Sequence, residues 1–154
     1  MATSEYEVTR EAEIQAPATT VFDLIADFHR WNEWSPWEGV DPQMERTYSG
    51  ADRGVGAVYE WSGNRKAGQG RMEITAADTP GRVVIALQFL KPFKSSNTTT
   101  FELTESGSST RVTWRMVGPK TLATRVMGIF SSMDKMIGRD FEKGLAQLSG
   151  AAQA

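Results

Sequence analysis

The C-terminal part of the chain, from Thr121 to Leu148, has apolar residues at steps of three or four. These positions are Leu122, Val126, Ile129, Met133, Ile137, Phe141, Leu145 and Leu148. The spacing places them on one stripe of an α-helix, because a helix completes a turn in about 3.6 residues. A helix of this length cannot bury such a stripe alone, so it must pack across a broad apolar surface. Only a sheet formed by the preceding strands can supply that surface.

Before this helix, the chain mostly shows the period of two that is typical of half-buried strands. In the first strand, Tyr6, Val8, Ala12 and Ile14 alternate with charged or polar residues. Six more strands are predicted at Met44–Ser49, Ala57–Ser62, Gly70–Ala77, Arg82–Leu90, Asn97–Thr104 and Arg111–Val117. The segment around Val83 is apolar on both faces, so the sequence does not predict which of its faces points to the core. Short turns rich in Gly, Pro and Ser separate the strands, which predicts antiparallel neighbours.

Two short helices are predicted between the first and second strands. Pro17 suits the first turn of a helix, and the apolar residues that follow predict a helix from Ala18 to Asp27. The segment from Phe28 to Trp37 contains three tryptophans and a Ser-Pro pair, which indicates a short second helix and an extended turn. The order of elements predicts one α+β domain over residues 1–154, with a frayed tail at Ser149–Ala154.

Composition and charge exclude several classes of protein. The chain has 154 residues, 40% hydrophobic and 23% charged, which is enough for a sizeable globular core. A net charge of -2 gives no reason to expect nucleic acid as a partner. There is no cysteine and only one histidine, His29, so thiolate chemistry and histidine metal clusters are excluded. Without a signal-like or membrane-spanning stretch, we expect a cytoplasmic protein, as a monomer or weak dimer.

This order of elements resembles the helix-grip fold of the START/SRPBCC superfamily, in which a curved antiparallel sheet grips a long C-terminal helix. Local motifs are similar to those of bacterial polyketide cyclase/dehydrase-like proteins: Phe22–Asp27 with Trp31–Trp37, Tyr59–Asn64, Gly68–Met72, Thr110–Trp114 and Met133–Phe141. The resemblance covers essentially the whole chain and implies a seven-stranded sheet wrapped around the helix. It does not specify an activity, because the scaffold serves lipid carriers, hormone receptors, cyclases and cochaperones.

The resemblance also implies an apolar cavity between sheet and helix. Residues from the inward strand faces and the helix stripe should line it: Tyr59, Trp61, Met72, Phe89, Phe101, Trp114, Met133 and Ile137, with Trp34 and Trp37 near the entrance. Aromatic rings offer a wide contact area to a flat or greasy ligand, and methionine adapts its shape. For each residue taken alone, simple core filling is an equal or better explanation.

Three functions from different classes agree with these features. The leading hypothesis is binding of a small hydrophobic or aromatic molecule, with no cofactor and no metal. The alternatives are an enzyme of polyketide cyclase/dehydrase type and a protein-interaction module of Hsp90-activator type, which would need an exposed apolar patch. An enzyme would need an inward ionisable residue. Glu60, Glu73 and Glu102 alternate with apolar neighbours as outward residues would, and His29 is expected to be exposed, so the catalytic residues are unknown.

Overall fold

The computed structural model of the chain describes residues 5–37, 43–64, 68–91, 94–119 and 130–153. In the last of these ranges, side chains are described for Lys135 and from Ile137 onward. The first part of the predicted long helix, including Gly128, and the side chain of Met133 therefore lie outside the described residues.

A seven-stranded antiparallel sheet forms the body of the molecule, with strand order β1-β7-β6-β5-β4-β3-β2. The strands are β1 (Glu5–Ile14), β2 (Glu45–Gly50), β3 (Ala57–Ser62), β4 (Gln69–Asp78), β5 (Arg82–Lys91), β6 (Ser95–Ser106) and β7 (Ser109–Pro119). Hairpins connect each strand from β2 to β6 with the next strand in the chain. Strand β1 pairs with β7 from Glu5↔Pro119 to Ile14↔Thr110. The predicted sheet is confirmed, and each predicted strand boundary lies within two residues of the observed one.

Two short helices connect β1 to β2, as predicted. Helix α1 (Ala18–Ala26) begins directly after Pro17, and its first free N–H, on Ala18, donates to Glu105 Oε1 at 2.7 Å. It ends one residue earlier than predicted because Asp27 is extended, with φ −119° and ψ 106°. The Asp27 carboxylate instead accepts from the backbone N–H of His29 at 2.9 Å, which starts a 3-10 helix at Phe28–Glu33.

Helix α2 (Phe130–Gln153) is the long C-terminal helix. The predicted stripe is buried where it is described: Phe141 and Leu148 are 0% exposed and Leu145 is 2% exposed. The predicted frayed tail is wrong for Ser149–Gln153, which continues the helix. Two alanines in this last turn, Ala151 and Ala152, pack against the core, and contact with the core holds the turn in place.

One face of the sheet is covered by the helices and forms the core. The alternation of strand β5, which the sequence left open, turns Val83, Ile85 and Leu87 inward, while Gln88 and Leu90 are exposed. The inward residues of β4, β6 and β7 are those that the alternating pattern predicts: Met72, Ile74, Phe101, Leu103, Val112, Trp114 and Met116 are all buried.

Candidate functional site

The register of the sheet aligns inward side chains in rows that cross the strands. One row, which we call the central row, contains Tyr59, Met72, Leu87 and Asn97. They are joined by the pairs Tyr59↔Met72, Met72↔Leu87 and Leu87↔Asn97. Residues directly opposite on neighbouring strands have side chains on the same face, so these four side chains line one band of the inner face.

A second row, the end row, lies two residues from the central row along each strand. It contains Trp61, Gly70 and Phe89. Gly70 has no side chain, and a Cβ there would collide with the Trp61 ring. The indole can therefore lie across β4 and reach Phe89, with ring centroids 5.8 Å apart in an edge-to-face arrangement. Trp61 also contacts Tyr59 of the central row at 6.0 Å. Trp61 and Phe89 are only partly buried although they lie on the inner face.

The opposite part of the inner face is filled by a closed aromatic cluster, made of Trp31, Trp34, Phe101, Trp114 and Phe141. Trp114 stacks on Phe141 with centroids 4.1 Å apart and ring planes 9° apart. Phe101 and Trp114 lie 4.7 Å apart, and Trp31 and Trp34 lie 4.5 Å apart. All five rings are buried, so this part of the molecule is core.

The predicted position of Trp34 near an entrance is wrong, because this residue is only 1% exposed. Its indole N–H donates to the Leu24 carbonyl at 2.8 Å, one of the carbonyls that the end of α1 leaves free. Trp37 is partly buried at the edge of the cluster, where its indole N–H donates to Asp140 Oδ2 of α2 at 3.2 Å. This hydrogen bond ties the tryptophan-rich turn to the long helix.

The structure thus divides the predicted site residues into two groups. Tyr59, Trp61, Met72 and Phe89 lie together in the central and end rows. We call these rows the open half of the inner face because Trp61 and Phe89 are partly exposed, although Tyr59 and Met72 are buried. Trp34, Phe101 and Trp114 belong to the closed cluster, and Trp37 lies at its edge. Ile137 is partly buried on α2.

A surface hollow of about 300 Å³ adjoins the open half. It is lined by residues at the ends of β5 and β6, namely Gln88, Phe89, Leu90, Lys94, Ser95 and Ser96. Phe89 belongs to both the hollow and the end row, so the hollow exposes one ring of the open half to solvent. A smaller hollow of about 70 Å³ lies near His29 and Tyr48, beside the edge strand β2.

Asn97 is a buried polar residue of the central row that is not among the residues predicted from the sequence. It is 7% exposed, and its Oδ1 accepts from Thr99 Oγ1 at 3.0 Å. The Asn97 side chain also forms a hydrogen bond with the side chain of Tyr6. A signal for it existed in the sequence, because Asn97 and Thr99 alternate in phase with the inward Phe101 and Leu103.

Tyr6 of β1 lies beside Asn97 on the inner face. Both side chains approach Gly118, where a Cβ would lie 2.8 Å from the Tyr6 hydroxyl and 2.9 Å from the Asn97 Cβ. Burial raises the pKa of Tyr6, and a side-chain hydrogen bond with Asn97 opposes this effect more weakly. The Tyr6 phenol therefore stays neutral at physiological pH.

The ionisable side chains considered in the sequence face outward. Glu60 and Glu102 are exposed, Glu73 forms an ion pair with Arg71 at 3.1 Å, and His29 is exposed beside Asp27. The described residues include no group of three or more His, Asp or Glu side chains placed to hold a metal ion. Within the same residues, no helix is long and apolar enough to cross a membrane.

Comparison of structures shows the same fold in proteins of low sequence identity. A Thermobifida fusca protein matches with a TM-score of 0.70 and 21% identity over 95% of this chain and 92% of that one. CV1439 from Chromobacterium violaceum matches with a TM-score of 0.68 and 12% identity over 96% and 98% of the two chains. DynU16, a protein of the dynemicin biosynthetic locus, matches with a TM-score of 0.65 and 15% identity over 96% of this chain. This chain spans only 47% of DynU16.

Comparison of sequences identifies the family. No curated protein matches the chain. The model of the family described as "Polyketide cyclase / dehydrase and lipid transport" matches residues 5–153, nearly the whole chain. With the helix-grip fold observed above, this match shows that the chain belongs to the polyketide cyclase/dehydrase and lipid transport family of the SRPBCC superfamily.

Proposed function

We propose that the protein binds a small hydrophobic or aromatic molecule between the open half of the inner face and helix α2. One observation carries this proposal: Trp61 and Phe89 remain partly exposed on the inner face, while the rings of the closed cluster are buried. Water in contact with inward aromatic rings is unfavourable, and a ligand that covers the rings removes it. The rings also suit such a ligand because their flat faces offer a large contact area.

The surface hollow beside Phe89 supports a route for the ligand. Its volume of about 300 Å³ is at the lower end of the range for small-molecule sites. Its polar rim at Gln88, Lys94 and Ser96 would remain hydrated while the apolar part of the ligand contacts Phe89. We propose that the ligand enters here and reaches Trp61 along the end row.

The contacts favour binding over the two alternative functions. The described residues of the central and end rows, Tyr6 beside them and Arg46 opposite Trp61 include no carboxylate that could act as a general acid or base near neutral pH. An interaction module would need a contiguous exposed apolar patch. The large apolar side chains that are exposed in the described residues are only Tyr48, Val55 and Leu90, which belong to separate elements.

A neutral environment-sensitive dye, Nile red, tests the proposal. The wild-type protein should bind the dye with enhanced dye emission and quenched tryptophan emission, because Trp61 lies in the proposed site. Phe89→Ala should weaken the affinity about tenfold, since an aromatic contact is worth about 1 kcal/mol beyond the apolar area that is also lost. Val55→Ala, which shortens an apolar side chain that is 57% exposed outside the site, should bind as the wild type does. Equal dye affinity in all three proteins would refute the proposal.

A further inference from the structure

The surface hollow beside Phe89 combines apolar surface with one cation. Phe89 is partly exposed and Leu90 is 41% exposed, so the hollow has both an aromatic and an aliphatic side chain in its wall. Lys94, directly before β6, is the charged residue of the same wall. In the described part of the chain, Lys94 forms no ion pair, whereas Arg71 of β4 pairs with Glu73 at 3.1 Å.

The chain around the hollow is positively charged. Residues 79–101, which include β5 and the start of β6, contain Arg82, Lys91 and Lys94 but no Asp or Glu. On β4, the residues opposite Phe89 and Gln88 are Gly70 and Arg71. The charge of Lys94 is therefore not compensated from these neighbouring strands, although the whole chain has a net charge of -2.

The two features of the hollow fit an amphipathic anion. An apolar or aromatic body is stabilised where it covers Phe89 and Leu90, because water leaves both surfaces. An anionic group at the rim keeps most of its hydration, since Lys94 is exposed, and the attraction between the two charges is added. The hydroxyl groups of Ser95 and Ser96, in the same wall, are hydrogen-bond donors that suit a carboxylate. A cation would be repelled by Lys94.

We infer that the ligand carries a carboxylate, which stays at the rim beside Lys94 while its apolar part covers Phe89. This inference rests on the proposed function, because it uses the hollow as the entrance for the ligand. An exposed pair of opposite charges changes an affinity by about two- to fivefold. Lys94 therefore selects and orients the ligand, and apolar contact supplies most of the affinity. The ligand class is an aromatic or long-chain carboxylic acid.

Two small molecules of matched shape test the inference. 2-Naphthoate and 2-naphthamide share one bicyclic frame, and only the first is charged near neutral pH. Their affinities are measured by displacement of Nile red and directly by calorimetry. At about 10 mM salt, the wild-type protein should bind 2-naphthoate about two- to fivefold more tightly than 2-naphthamide. At about 0.5 M salt, this preference should disappear, because the salt screens exposed charges.

Three variants assign the preference to Lys94. Lys94→Gln should bind the two compounds equally at low salt and keep the wild-type affinity for 2-naphthamide within about twofold. Lys94→Glu should prefer 2-naphthamide. Arg111→Gln removes the same charge at an exposed position opposite Thr104, about 30 Å from Ser95 along β6, and should keep the full preference. All three substitutions are at exposed positions, so the melting temperatures should stay close to that of the wild type.

The failures of the two proposals are distinguishable. If the wild type binds neither compound and no dye, the proposed function itself fails. If it binds both compounds equally well at low salt, ligand binding stands and the inference about the carboxylate is overturned. A preference that survives in Lys94→Gln would overturn the role of Lys94. A preference that disappears in Arg111→Gln as well would overturn it too, because the total charge of the protein would then attract the anion.

Discussion

Individual aromatic residues of this protein have different roles that depend on what lies against them. Phe141 is 0% exposed and stacks on Trp114, which in turn contacts Trp34 at 5.7 Å. Trp61, of the same residue type as Trp34 and Trp114, remains partly exposed because its neighbours across the sheet are Gly70 and Phe89. The first group is fully part of the core, whereas Trp61 keeps part of its ring exposed.

Phe141→Ala should lower the free energy of unfolding by about 3–5 kcal/mol, because it leaves a void against a stacked indole in a rigid core. Chemical denaturation followed by circular dichroism measures the change. Val55→Ala, at an exposed position, should change it by less than about 0.5 kcal/mol. A loss below about 1 kcal/mol in Phe141→Ala would contradict the packing described for the closed cluster.

Tyr6 should make stability sensitive to alkaline pH. Burial raises the pKa of Tyr6 above its ordinary value of 10.0, so the folded protein holds the phenolic proton more tightly than the unfolded chain does. Below the ordinary pKa, both states are protonated and the residue adds no pH dependence. As the pH rises above about 10, the unfolded chain ionises first, and stability is lost.

The melting temperature of the wild type should therefore fall more steeply between about pH 9.5 and pH 11 than that of Tyr6→Phe. Thermal melts across this range measure both slopes, and the absorbance of tyrosinate reports the titration directly. Identical slopes would mean that Tyr6 ionises as easily in the folded protein as in the unfolded chain.

At the scale of elements, the glycines of helix α2 differ in how closely other parts of the protein approach them. A Cβ at Gly144 would lie 2.7 Å from Trp114 and 2.9 Å from Pro36, and one at Gly138 would collide with the Arg10 guanidinium. Close approach therefore explains both residues, although glycine disfavours a helix by about 1 kcal/mol relative to alanine. At Gly150, in the last turns of the same helix, a Cβ would meet nothing within 4 Å.

The two alanine substitutions in this helix should have opposite signs. Gly144→Ala should destabilise the protein by about 1–3 kcal/mol, because the added methyl overpacks against an indole held by Phe141. Gly150→Ala should be neutral or stabilise the protein by up to about 1 kcal/mol through helix propensity alone. Denaturation midpoints of the two variants provide the comparison. Stabilisation by Gly144→Ala would show that α2 lies farther from Trp114 than described.

At the scale of the whole molecule, Phe28 joins the two parts of the inner face. Its ring is 5.4 Å from Trp31 of the closed cluster and 5.9 Å from Tyr59 of the open half. Strand β1 closes the sheet against β7 along its full length and also packs against α2. Packing is thus continuous from the N-terminal strand to the C-terminal helix.

We therefore predict that residues 1–154 unfold as one cooperative unit. The protein has five tryptophans, four of them in or beside the closed cluster and Trp61 in the open half. Tryptophan emission and far-UV circular dichroism should give the same midpoint in denaturant, and the Trp61→Phe variant should show the same coincidence. Separate midpoints for the two signals would indicate that part of the sheet unfolds independently.

Local periodicity in the sequence was sufficient to predict the elements and their order. The alternation of strands, the turn residues between them and the three-to-four spacing at Phe141, Leu145 and Leu148 all act over a few residues. Strand boundaries, the inward face of most strands and the buried stripe of α2 could therefore be predicted without knowledge of distant contacts. The helical end at Ser149–Gln153 could not, because packing of Ala151 and Ala152 against the core stabilises it.

The arrangement of the candidate site was decided by the tertiary structure alone. Alternation predicts that Trp61, Trp114 and Asn97 lie on the inner face. It does not predict which residues lie opposite each of them. That depends on residues far apart in the chain: Gly70 beneath Trp61, Phe141 against Trp114, and Gly118 with Tyr6 beside Asn97. The sequence by itself therefore determined the fold and the inward face. Contacts between distant segments determined which aromatic rings of that face are buried in the closed cluster and which remain partly exposed.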